Sequence, residues 1–227
     1  MTVLVVAAHP DDEVLGCGGA MARHAAQGET VHVLILAEGA TSRADRRDVT
    51  AHGAELEGLR KAATDAARCL GVQPPRFAGF PDNRMDSVDL LDVVKAVEAV
   101  IAETQPDTVY CHWGADLNVD HRVTHEAVLT ACRPLPGSSV RRILAWETVS
   151  STEWGLQPFQ PNSFVGLDQD CLERKRQALI CYASEMRDFP HARSMEAVEA
   201  LARLRGANVG LPAAEAFVLI RSVEPAA

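Results

Sequence analysis

Long apolar runs are missing from this 227-residue chain. No stretch approaches the roughly 20 apolar residues that a bilayer-crossing helix needs, so membrane insertion is not expected. Residues 3–8 are apolar, but no basic segment precedes them and acids follow at once, so they read as a strand and not a signal peptide. Closely spaced cysteines are missing too. The six, at 17, 69, 111, 132, 171 and 181, include no C-x-x-C pair. In a chain of this length they read as small core residues of a reducing cytoplasm, not as a disulfide frame or a zinc ribbon. Basic clusters are absent and the net charge is −9. That excludes nucleic acid as a partner, because phosphate binding needs clustered Lys and Arg. Repeats and low-complexity segments are also lacking. What remains, 47% hydrophobic and 23% charged, describes a globular protein with a full core.

What is present is an alternation. Thr2–His9 (TVLVVAAH), Thr30–Ala37 (TVHVLILA), Arg76–Phe80, Asp107–His112 (DTVYCH) and Arg141–Glu147 read as strands. Glu13–Gln27, Thr50–Leu70, Ser87–Glu103 and His121–Ala131 read as helices, with Gly71 capping the second. The third carries an apolar stripe of Val88, Leu91, Val94, Val97 and Ile101. Continuous apolar strands separated by helices predict an α/β fold, a Rossmann-like three-layer sandwich with a mostly parallel sheet. Residues 150–227 differ. Ser150–Pro161 reads as a long loop, Gln169–Tyr182 and Ser194–Arg205 as helices, and Ala216–Ser222 as a strand returning to the main sheet. The expectation is a single domain over 1–227, with a core at 1–149 and a C-terminal elaboration at 150–227 covering the site.

The turn after the first strand, AAHPDDEVLGCGG, places His9, Asp11, Asp12 and Glu13 where a dinucleotide-binding protein carries a glycine loop. Gly16, Gly18 and Gly19 follow, but their spacing does not fit that fingerprint, and they read as sites of close helix–sheet packing. In strand order 3-2-1-4-5, strands 1 and 4 are neighbours at the reversal where open α/β sheets bind ligands. The loop after strand 4, CHWGADLNVDHRVTH, adds Asp116, Asn118, Asp120, His121 and His125. Imidazoles and carboxylates from two distant loops thus converge on one crevice, and a divalent cation would relieve the repulsion between the acids. Two histidines and an aspartate suit zinc, with Fe2+ or Mn2+ as alternatives. His9, Asp12 and His121 are the expected ligands, and Asp11 is the expected general base facing a water whose pKa zinc can lower to roughly 7. His24, His32 and His52 read as structural, and Cys111 as core.

AHPDDE followed by the downstream D-H resembles the LmbE-like (PIG-L) family of zinc-dependent N-acetylglucosaminyl deacetylases. The likeness continues through Arg60 ahead of AARCLG, FPDNRMD at 80–86 and RGANVGLPAAEAF at 205–217. It implies removal of an acetyl group from an N-acetylated amino sugar or sugar conjugate, with His9, Asp12 and His121 on zinc, Asp11 as base and Arg60 binding substrate. One position departs. Many members read H-x-D-H, whose first histidine polarises the carbonyl or protonates the leaving amine; here the tetrad is Asn118-Val119-Asp120-His121. Asn118 can donate a hydrogen bond to an oxyanion but cannot deliver a proton at neutral pH. Either Asp11 carries the proton to the amine, or His112, His125 or His191 replaces the missing histidine. His191 comes first, because a C-terminal segment folding over the crevice could bring it in from the opposite side. His112 and His125 also stand as substrate contacts. Asp120 would orient an imidazole or Asn118. Arg43, after strand 2, and Asp82 and Arg84, after strand 3, are rim candidates for sugar hydroxyls or an anionic substituent. Trp113 and Trp154 are candidates for stacking on a sugar face.

Two rival readings share these residues. One is an amidase or deacylase acting on a non-sugar or thiol-conjugate amide; the other is a protein that binds metal and sugar without turnover. The intact Asp11 argues against the second. The expected location is the cytoplasm, the expected partner is a small molecule, and self-association into a homo-oligomer is left open.

Overall fold

The computed structural model describes residues 1–43 and 45–224. Strand β1 (Thr2–Ala7) is apolar throughout because both of its faces are covered. Val3, Val5 and Ala7 enter one core, and Leu4 and Val6 the other. The same two-residue alternation divides β2 (Thr30–Ala37), β4 (Thr108–His112) and β5 (Arg142–Trp146) between the two layers. Helices α1 (Asp12–Ala26), α2 (Gly53–Leu70), α5 (Gln169–Cys181) and α6 (Met195–Ala207) contribute to the first core. Helices α3 (Leu90–Thr104) and α4 (Val119–Ala131) build the second. Helix α2 ends at Gly71, whose φ of 77° is the left-handed cap that glycine adopts without strain.

With β3 (Arg76–Phe80), β6 (Ser163–Gly166) and β7 (Ala214–Ser222), the strands form one seven-stranded sheet in the order β3-β2-β1-β4-β5-β7-β6. The pairs from β3 to β5 are parallel; β7 runs antiparallel to both β5 and β6. Strands β1 and β4 are adjacent with the order reversing between them, so their carboxyl ends open the crevice.

Two features depart from the expected plan. Strand β6 lies where no strand is predicted, since four residues, SFVG, give too short a pattern to register. Helix α1 is also broken. Cys17 has φ −144° and ψ 24°, which interrupts the helical hydrogen bonds. The amides of Gly19 and Ala20 donate instead to the Glu215 carboxylate at 2.8 and 2.7 Å, and Lys175 Nζ donates to the Leu15 carbonyl at 2.9 Å and to Glu215 at 2.7 Å. A buried ion pair thus fills both sides of the break, satisfying groups that would otherwise lie unpaired in the core. The break seats Gly16 against β5, where an added Cβ would fall 2.2 Å from the Trp146 ring.

Candidate metal centre

The acid-rich turn after β1 is shaped by its own side chains. Asp11 has φ 112°, a conformation that L residues rarely adopt and that costs on the order of 1–3 kcal/mol. Its amide donates to Glu13 Oε2 at 3.1 Å, and its carbonyl accepts from Val14 and Leu15 at 3.1 and 2.9 Å. The other Glu13 oxygen accepts the Tyr182 hydroxyl at 2.6 Å. Burial pushes the Glu13 carboxyl up to about 7. The third acid of AHPDDE therefore braces the turn, leaving Asp11 and Asp12 to face the crevice.

Three side chains meet there. His9 Nδ1 and His121 Nε2 lie 3.1 and 3.2 Å from Asp12 Oδ2, and the ligand atoms of the trio fall within 4.8 Å of one another. A tetrahedral ion with bonds of about 2.1 Å holds its ligands about 3.4 Å apart, so little movement would be needed to close around one. Asp12 Oδ1 is fully buried and has no hydrogen-bond partner among the described residues. A buried carboxylate oxygen in that condition is costly unless a cation takes it. The donor set, two imidazoles and one carboxylate, is that of an open zinc-type site.

The loop after β4 supports this trio. Asp120 Oδ2 lies 3.0 Å from His9 Nε2, the ring atom facing away from Asp12. Asp120 is itself gripped by the amides of Asn83 and Met85 at 2.7 and 2.9 Å, which pins the β3 loop to the β4 loop. Asp116 Oδ1 lies 3.0 Å from His121 Nδ1, close but poorly aligned for a hydrogen bond. Burial alone would raise the Asp116 carboxyl, yet His121 and the hydroxyls of Ser151 and Thr152 hold it at about 2. Each histidine is thus backed by an acid, the arrangement that fixes ring orientation in metal sites.

His112 is fully buried. Its Nε2 accepts the Ala8 amide at 3.0 Å, so Nδ1 carries the proton and meets Thr148 Oγ1 at 3.1 Å. Burial and then His121 hold it well below the usual imidazole value, and it stacks on His121 with ring centroids 3.9 Å apart. With both ring nitrogens engaged, it has none to offer a substrate. Asn118 is the N-cap of α4: its Oδ1 accepts the Asp120 amide at 2.8 Å while Nδ2 donates to Asn83 at 2.7 Å.

The residue reaching over the crevice from the C-terminal segment is Arg193. Its Nη1 donates to Asp11 Oδ2 at 2.5 Å and its Nε to Ser150 Oγ at 2.7 Å. Burial pushes the Asp11 carboxyl up to about 8, with Arg193 pulling the other way. His191 is exposed, and its Nδ1 accepts the Arg193 amide at 3.0 Å. Asp82 is buried at the crevice, with Oδ1 3.3 Å from His9 Nε2 and Oδ2 accepting the Ser42 amide. The Arg84 Nε is buried without a partner among the described residues. Arg43 spans Glu55 and Glu185. Arg60 is exposed on α2, lying over the Phe77 ring at 5.4 Å. The structure gives it no contact with the ligand trio. His125 donates to the His112 carbonyl and, with Trp113 and Asp116, lines a 580 Å³ cavity along the β4 loop. Trp154 is exposed.

Fold and site together define an α/β sandwich with a His–Asp–His cluster, each histidine backed by an acid, at the switch point of its sheet. Residues 4–132 match the GlcNAc-PI de-N-acetylase (PIG-L) family, and the chain belongs to it. It is 28% identical over 185 residues to the uncharacterized deacetylase YaiS of Escherichia coli, covering 78% of this chain and 88% of that one. To 1D-myo-inositol 2-acetamido-2-deoxy-alpha-D-glucopyranoside deacetylase of Rhodococcus jostii it is 36% identical over 160 residues, covering 60% of this chain but only 54% of that protein's length. Among solved structures, GalB, the 4-carboxy-2-hydroxymuconate hydratase of Pseudomonas putida KT2440, superposes with a TM-score of 0.78 at 26% identity, over 100% of this chain and 99% of that one. Among the described residues, no helix is long and apolar enough to cross a membrane.

Proposed function

We propose that this chain is a metal-dependent deacetylase that hydrolyses the acetamide of an N-acetylated amino sugar or sugar conjugate. The observation that carries this reading is the meeting of His9, Asp12 and His121 beside Asp11, with the second oxygen of the Asp12 carboxylate, Oδ1, buried and without a protein donor among the described residues. A divalent ion held there, zinc before iron or manganese, would polarise the acetyl carbonyl and acidify a water. Asp11, next to Asp12 in the turn, is the residue placed to take up a proton from an attacking water. Its carboxylate is aimed by the strained turn and by Arg193, whose fixed positive charge beside it would also stabilise negative charge developing on a bound acetamide oxygen. The amide of Asn118 is spent on the α4 cap and on Asn83, so no proton passes through position 118. Asp11 itself then carries the proton to the leaving amine, acting first as base and then as acid. Asp120 and Asp116 hold the two ligand histidines in place, and His112 supports His121 from below. Asp82, Arg84 and Arg43 remain the rim positions for the rest of the substrate, with Arg60 and His125 outside them.

The sugar-conjugate substrate is supported by the name of the Rhodococcus relative. A second reading, addition of water to an activated double bond, is favoured by the full-length likeness to a hydratase, and it would use the same proton acceptor. Acetate release from N-acetylated sugars by metal-loaded protein separates the two. The deacetylase reading expects acetate from at least one substrate, and expects Asp11→Asn to keep its metal while losing on the order of 10²-fold or more in rate. Metal-loaded protein that releases no acetate across the panel, or an Asp11→Asn variant as fast as wild type, would overturn it.

A further inference from the structure

Two thiols that take no part in the crevice lie side by side in the helical layer. Cys69, in the last turn of α2, and Cys181, the last residue of α5, place their sulfurs 3.9 Å apart although 112 residues separate them in the chain. The other four cysteines, Cys17, Cys111, Cys132 and Cys171, are buried, whereas Cys69 and Cys181 are only partly covered. Both pack against the first core where α2 and α5 meet, and each keeps part of its surface open, so the two partly covered thiols face each other within reach of solvent.

We propose that Cys69 and Cys181 form a redox-active dithiol, which oxidised low-molecular-weight disulfides close into a bond between α2 and α5. A disulfide requires about 2.05 Å between sulfurs, so closure asks for an approach of roughly 2 Å. Both cysteines sit in terminal helical turns, where such an adjustment is easiest. The Cys69 thiolate attacks the small disulfide, forming a mixed disulfide and expelling one small thiolate. Cys181, as thiolate, then attacks Cys69 Sγ and expels the second. Two protein protons and two electrons leave, and two small thiols are formed. Burial, then Cys69 and Asp65, push the Cys181 thiol up to about 11, so closure at neutral pH is slow.

The bond would act next to the crevice wall. Tyr182, which follows Cys181 directly, donates to Glu13, and Glu185 holds Arg43, which also holds Glu55 of α2. A covalent tie between α2 and the end of α5 would lock the elements that brace the acid-rich turn.

The test incubates the reduced full chain with oxidised glutathione, blocks remaining thiols with N-ethylmaleimide and maps the peptides. The proposal expects two of the six thiols to disappear, a Cys69–Cys181 cross-linked peptide, full reversal by dithiothreitol, and a melting temperature raised by on the order of 5 °C or more. Cys181→Ser should lack the cross-link and hold glutathione on Cys69 instead. Glutathione on both cysteines without a cross-link, no loss of thiols, or bonds formed by the buried cysteines would each overturn it.

Discussion

Replacing Lys175 with methionine tests the reading of the broken helix. The side chains of Lys175 and Glu215 are 7% and 6% exposed and meet at 2.7 Å. Methionine retains most of the stem but offers nothing to Glu215 or to the Leu15 carbonyl. Stranding one member of a buried pair costs about 3–5 kcal/mol. Glu215 keeps its bonds from Gly19 and Ala20, which places the cost near the lower end, about 3 kcal/mol. The lost donor to Leu15 adds about 1 kcal/mol. At about 2–4 °C per kcal/mol for a chain of this size, the melting temperature should fall by roughly 8–16 °C, read by calorimetry or circular dichroism. Adding Glu215→Gln removes the stranded charge but keeps an acceptor for only one of the two amides, which bond different oxygens of Glu215, so the double variant should stay well below wild type. A single variant within about 1 kcal/mol of wild type, or a double variant as stable as wild type, would refute the argument.

Two further outcomes follow from the site. Arg193→Ala removes a cation that lowers the Asp11 carboxyl, so that carboxyl should rise and the pH–rate profile should be displaced upward; an unchanged profile would deny Arg193 that role. Asp116, held at about 2 against an ordinary 3.8, contributes stability that is fully present above 3.8 and lost as pH falls toward 2. That amounts to about 2 kcal/mol. Acid titration of Asp116→Asn should therefore show a chain already less stable at neutral pH and with a shallower loss below pH 4.

Much of the architecture can be read from pattern alone, because strands buried on both faces, such as TVLVVA and TVHVLILA, have no other stable reading in a chain of this length. The crevice follows from the strand order, since it depends only on which loops leave β1 and β4. What pattern cannot show is anything decided by contacts between distant segments. The break in α1 is invisible in VLGCGGA, whose apolar and small residues continue across it; its cause, Glu215, lies 196 residues away. His112 and His191 look equivalent as free histidines, yet one is stacked under His121 and the other is exposed in a turn. Arg193 stands two residues from His191 in PHARS, in a loop with no periodicity to announce it. Its meaning comes from the 2.5 Å contact with Asp11. The hint available beforehand was the expectation that the C-terminal segment covers the crevice, which directs attention to its charged residues as well as its histidine.

The central claim, that His9, Asp12 and His121 grip one divalent ion, is tested most directly by counting metal. Protein reconstituted with zinc and dialysed exhaustively should retain about one ion per chain by plasma mass spectrometry, and His121→Ala or Asp12→Ala should retain none while still folded. Wild-type protein that holds no ion after reconstitution, or variants that hold as much as wild type, would contradict it.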